Sequence, residues 1–81
     1  MQVGVQLYAS LRDLAGMSEL NLDVAEDATV ADLLEKLYQL TPSLRVHDKS
    51  ILVGAGLEFV PRTYKLKPGE QIAIMPPVQG G

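Results

Sequence analysis

The sequence predicts an α+β domain: one mixed sheet of four to five strands covered on one face by one main helix, with one or two short helical turns besides. Three observations predict it. Apolar and polar residues alternate in two separate stretches before residue 25, the period of half-buried strands. A single amphipathic run of about three turns follows. Three short apolar runs, partly β-branched and separated by Gly and Pro, complete the chain. One helix can cover one face of one sheet, which gives two layers around one core. A chain of 81 residues has no room for a second core.

Val3, Val5 and Leu7 alternate with Gln2, Gly4 and Gln6, which marks the first strand. Leu11 and Leu14 lie three apart, Ser10 offers a cap with Asp13 three residues on, and Gly16 can close in the left-handed region. These predict one or two helical turns. Residues 19–24 alternate strictly, a second strand with Leu20, Leu22 and Val24 inward. Thr29 and Asp32 have the spacing of a capping box, and Val30, Leu33, Leu34, Leu37 and Leu40 recur at helical spacing. This main helix ends near Thr41-Pro42, because the residue before proline is pushed out of the helical region. Pro42 can open one further turn with Thr41 as its cap, and residues 45–49 read as polar connection.

Ile51, Leu52 and Val53 read as a buried strand that Gly54-Ala55-Gly56 breaks. Residues 57–60 read as a brief strand, limited by Pro61 to an edge. Lys67-Pro68-Gly69-Glu70 fits a type II turn, and residues 71–75 form the last strand with Ile72 and Ile74 on one face. A strand–strand–helix–strand–strand order on this scale suggests a β-grasp, or ubiquitin-like, fold. By analogy with that fold, the first and last strands lie side by side at the centre.

Composition removes several function classes. Without cysteine there are no disulfides, no thiol chemistry and no thiolate ligation of metal. The net charge of −3, with acids scattered along the chain, argues against a nucleic-acid surface and is compatible with a basic face on a protein partner. The N-terminus lacks the basic start and apolar run of a signal peptide, and no stretch approaches the roughly 20 apolar residues needed to span a bilayer. The expected location is the cytoplasm. His47, the one histidine, has no partner set for a triad or a metal site and reads as a surface residue. Gly54-Ala55-Gly56 lacks the third glycine of a dinucleotide loop and opens onto no helix. No metal site, bound cofactor or resident active site is expected.

Two features remain. With Ile72 and Ile74 facing the helix, Met75 faces the open side of the sheet, and with Val60 inward Phe59 does the same. Phe59 and Met75 then either form an exposed apolar patch, as at many interaction sites, or finish a secondary core. Tyr8, next to Leu7, raises the same alternative. The other feature is Pro76-Pro77-Val78-Gln79-Gly80-Gly81. The prolines remove donors and fix φ, which makes a stiff exit; Val78-Gln79 is a spacer, and Gly80 a neck slim enough for a narrow channel. The expected division is a domain over residues 1–76 and a flexible tail over 77–81. The chemical candidate is the Gly81 carboxylate, the rival reading being an ordinary frayed terminus. A carboxylate is a poor electrophile until a leaving group is attached, and adenylation by a partner enzyme supplies one. Attack by sulfur then leaves a thiocarboxylate; attack by a thiol or amine leaves a conjugate.

These residues resemble a known family. Residues 7–16, which include Leu11-Arg12-Asp13-Leu14-Ala15-Gly16, then Ala28-Thr29-Val30-Ala31-Asp32-Leu33-Leu34, and residues 66–81 with Met75-Pro76-Pro77-Val78-Gln79-Gly80-Gly81 are similar to the small, sulfur-carrier subunits of molybdopterin synthase. The first segment discriminates best, because the thiamine-pathway carrier looks shorter there. The resemblance implies adenylation of Gly81 by an ATP-using, ubiquitin-activating-like adenylyltransferase and conversion to a thiocarboxylate by a sulfur donor. It further implies insertion of the tail, Pro76, Pro77, Val78, Gln79 and Gly80 included, into a large subunit that carries the catalytic residues. Sulfur would pass to a pyranopterin precursor within a heterotetramer, with Phe59 and Met75 at partner-contact positions. Gly56 stands where the family often has Asn, which leaves the subfamily open. The alternatives are a carrier for thiamine, cysteine, tRNA thiolation or protein conjugation, and a plain β-grasp interaction domain.

Overall fold

Alternating apolar residues in Gln2–Leu7 and Glu19–Asp23 pair as antiparallel strands β1 and β2 in the computed structural model, which describes residues 1–77. The expectations at Val78, Gln79, Gly80 and Gly81 lie outside the described residues. Strand β3 spans Leu52–Ala55, β4 Glu58–Phe59 and β5 Gln71–Met75, and the sheet order is β2-β1-β5-β3-β4. The first and last strands are the central pair and run parallel, as expected; every other pairing is antiparallel. Register sets Val5 opposite Ile72 and Leu7 opposite Ile74, with Val53 across from Ile74 on the other side. Because side chains alternate along a strand, this register gathers Val3, Val5, Leu7, Leu22, Val53, Ile72 and Ile74 onto one face. All are buried.

Helix α1 covers Ala9–Ala15 and α2 covers Val30–Leu40, whose Val30, Leu33, Leu34 and Leu37 complete the core over the buried face of the sheet. The capping box of α2 is formed: the Thr29 N–H donates to Asp32 Oδ2 at 2.9 Å, and the Asp32 N–H donates to Thr29 Oγ1 at 3.4 Å. The type II turn also stands, with Gly69 at φ +72° and the Glu70 N–H donating to the Lys67 carbonyl at 3.1 Å. Among the described residues, no helix is long and apolar enough to cross a membrane.

Five expectations need correction. Helix α1 starts one residue before Ser10, so Ser10 lies inside the first turn and cannot cap it; the N-cap is Tyr8, with no side-chain bond. Leu14 is exposed; Leu11 is the buried residue of that helix, with Ala15 packed against the core. Leu40 is 61% exposed, while Tyr38, at 3%, takes the inward place four residues after Leu34. Tyr38 can be buried because its hydroxyl finds an acceptor in Asp48 Oδ1 at 2.5 Å. Residues 45–49 are not loose connection: Pro42–Ser50 is one 3-10 helix that buries Leu44, and Thr41 gives it no side-chain cap. Finally, Gly54 and Ala55 continue β3 instead of ending it, because the ladder with β5 holds them in register with Ala73 and Ile72.

Candidate functional site

The candidate site is the open face of the sheet beside the point where the chain leaves it. Met75, the last residue of β5, pairs with Leu52 of β3, and the Tyr8 N–H donates to the Ile74 carbonyl at 3.2 Å. The base of the exit is therefore gripped from both sides. Pro76 and Pro77 follow, and neither can donate to a ladder, so strand pairing stops there.

The same alternation that buries Ile72 and Ile74 puts Ala73 and Met75 on the open face. One row across it reads Gln6, Ala73, Gly54, Phe59. The two small residues in the middle form a low floor, and larger side chains stand around it. Gly54 has no Cβ; one placed there would lie 3.3 Å from Met75 Cε and 3.8 Å from Ala73 Cβ. The result is a groove of about 210 Å³ lined by Tyr8, Gly54, Gly56, Leu57, Glu58, Phe59, Ala73 and Met75. Phe59 is 66% exposed, Tyr8 is 44% exposed with its hydroxyl donating to Gln6 Oε1 at 2.9 Å, and Met75 is half-buried. Phe59 and Met75 are thus brought together around Gly54. Apart from Tyr8 and Glu58 the lining carries no titratable side chain, so the groove is suited to binding an apolar surface, not to proton transfer.

A second cleft, of about 240 Å³, lies on the other side of the exit and is lined by Ser10, Leu11, His47, Ser50, Ile51, Pro76 and Pro77. His47 is exposed there, as a surface residue. Its wall is fixed by a polar cluster that sequence reasoning missed. Asp48 Oδ1 accepts from Tyr38 and, at 3.0 Å, from Arg62 Nη1; Arg62 Nη2 also donates to the Asp48 and Ile51 carbonyls at 2.6 and 3.1 Å. The Tyr38 hydroxyl bond, joined by the Arg62 guanidinium, holds the Asp48 carboxyl below its ordinary range. Burial, followed by the bond to Asp48, raises the Tyr38 phenol above its ordinary value. Arg45 pairs with Glu35 at 2.7 Å and stacks 5.2 Å from the Tyr38 ring. Among the described residues, no group of three or more His, Asp or Glu side chains is placed to hold a metal ion.

Gly54, Ala73 and Leu57 were also missed as lining. The signal for Ala73 was present, since it alternates with Ile72 and Ile74. For Gly54 the signal pointed the wrong way, because Gly-Ala-Gly reads as a break in a strand.

Comparison with known proteins bears on the family and the fold. The model of the ThiS family matches residues 5–81. The chain is 32% identical to a molybdopterin synthase sulfur carrier subunit from Chlamydomonas reinhardtii over 83 residues, covering 100% of both chains. Its fold superposes on the crystal structure of SAMP1 from Haloferax volcanii with a TM-score of 0.88 and 32% identity over 100% of both chains. A putative molybdopterin converting factor subunit 1 from Pyrococcus furiosus gives a TM-score of 0.87 at 26% identity, covering 96% of this chain and 99% of the other.

Proposed function

The chain belongs to the ThiS family, and on that premise we propose that it is a sulfur carrier, the small subunit of a molybdopterin synthase. The observation that carries this reading is likeness to a sulfur carrier subunit along the whole of both chains. The apolar groove beside the exit supports it, because a carrier needs a surface by which other proteins hold it while they handle its end.

The chemistry centres on the Gly81 carboxylate. An adenylyltransferase partner couples it to ATP, forming an acyl-adenylate and releasing pyrophosphate. Sulfide-level sulfur supplied by a donor protein then attacks the acyl carbon, the bond to AMP breaks, and the terminus is left as a thiocarboxylate. The tail next enters the large synthase subunit, whose residues catalyse transfer of the sulfur to a pyranopterin precursor. Residues 77–81 span at most about 17 Å when extended, enough to cross the wall of an active site. Gly80 and Gly81 present no side chain to that wall. Phe59 and Met75 meet the partner's surface, Pro76 and Pro77 direct the exit, and Val78, Gln79 and Gly80 are the stretch gripped inside it. The working assembly is a heterotetramer of two large and two small subunits in the cytoplasm.

One finding favours a second reading. The close superposition on a small archaeal modifier protein is compatible with a chain whose activated glycine is attacked by a lysine amine, giving an isopeptide conjugate. Intact-mass spectrometry separates the two after incubation with the activating enzyme, ATP and a sulfur donor. An oxygen-to-sulfur mass change at Gly81 supports the carrier; conjugates without that change support the modifier. No change at Gly81 and no conjugate would sink both.

A further inference from the structure

Strands β3 and β4 are joined by a two-residue loop, Gly56-Leu57, closed by the Ala55–Glu58 pair. Gly56 supplies the positive φ, +65°, that such tight hairpins require at the first central position; Leu57 is not in that region. The second position faces solvent, where turn chemistry favours a polar residue. Here it is a leucine exposed to 105% of its reference area, with no share in the core. Folding has no use for it.

A single exposed leucine is ordinary. Its placement is what counts: Leu57 lines the same groove as Tyr8, Phe59 and Met75 and extends that groove to the tip of the hairpin. We infer that Leu57 is an outer anchor of the docking surface and fits an apolar pocket on the large synthase subunit that takes up the tail. This rests on the docking role argued above. The occupant follows from continuity. The groove runs from the hairpin tip to Met75, where the chain leaves the sheet, so a protein enclosing the residues after Pro77 sits over this end of it. The exposed Glu58 beside Leu57 adds a condition: the rim of that pocket is neutral or basic, since an acidic rim would repel it.

The test is calorimetric titration of the full chain against the large molybdopterin synthase subunit. Leu57→Asn keeps the turn, because Gly-Asn is a favoured hairpin pair, so its melting temperature stays at the wild-type value. Its Kd rises roughly ten- to hundred-fold, as expected for losing a fully buried leucine at an interface. Leu57→Met retains most of the affinity, and Phe59→Glu serves as the reference for a broken groove. Wild-type affinity in Leu57→Asn with loss in Phe59→Glu overturns the anchor and leaves the docking surface standing. No effect of either variant, or no binding by the wild-type chain, overturns both. Self-association seen by sedimentation and removed by Leu57→Asn, with subunit binding unchanged, assigns the surface to a second copy and also overturns the proposal.

Discussion

At Gly54 the missing side chain shapes a surface. The end of Met75 lies so close across this residue that a Cβ would stand 3.3 Å from its Cε, and Ala73 beside it adds only a methyl to the floor. Gly54 has no positive φ, and valine favours extended structure, so Gly54→Val changes stability by no more than about 1 kcal/mol in urea unfolding. The added methyls raise the groove floor and displace Met75. Binding to the large synthase subunit therefore weakens roughly tenfold or more, and undiminished binding would mean that the partner leaves the floor uncovered. Phe59 and Met75 were legible in the sequence because strand alternation carries their direction. Gly54 was not, since its local signal for a turn is outweighed only by a ladder to residues some twenty positions away.

The 3-10 helix is the element whose placement sequence patterns did not carry. Its polar residues show no strong periodicity, and what holds it is a set of contacts from elsewhere: Tyr38 and Glu35 on α2, and Arg62 after β4. The strands and α2 were legible because their periods of two and 3.6 match the face they bury. The polar cluster makes two predictions. In Tyr38→Phe the lost hydroxyl bond costs about 1 kcal/mol in urea unfolding near neutral pH. Because the folded protein raises the Tyr38 phenol, its contribution is complete below the ordinary value of 10.0 and falls as pH rises above it. Wild type therefore loses stability above pH 10 more steeply than Tyr38→Phe, and parallel curves would contradict the assignment. Asp48 has the opposite sign. Its carboxyl is depressed, so its contribution is present above the ordinary 3.8 and is lost as pH falls through the lower folded value. Asp48→Asn is less stable than wild type by about 1 kcal/mol at neutral pH, discounted for partial exposure. The gap closes in acid.

On the scale of the whole molecule, the buried core is separate in the chain from the end proposed to react. The buried core runs from Val3 to Ile74, and the exit follows β5, the strand paired on one side with β1 and on the other with β3. A pull or push on the residues after Pro77 is therefore resisted by two ladders, and the groove on the open face stays in fixed register with the exit. Sequence order predicted this central pairing through fold analogy. Periodicity by itself could not, because it reports which face a residue takes and not which strand lies beside it. The separation has a measurable consequence. Amidating the Gly81 carboxylate takes away the proposed reacting group without shortening the chain or touching a core residue, so the melting temperature and urea midpoint of the amidated chain match those of the unmodified chain. Binding of the large subunit through Tyr8, Phe59 and Met75 persists in weakened form, while thiocarboxylate formation and sulfur transfer stop altogether. Had that carboxylate been needed only for grip, transfer would fall in proportion to affinity and recover at high protein concentration. Complete loss at saturating partner assigns it to the chemistry, and restored transfer there would place the reacting group elsewhere.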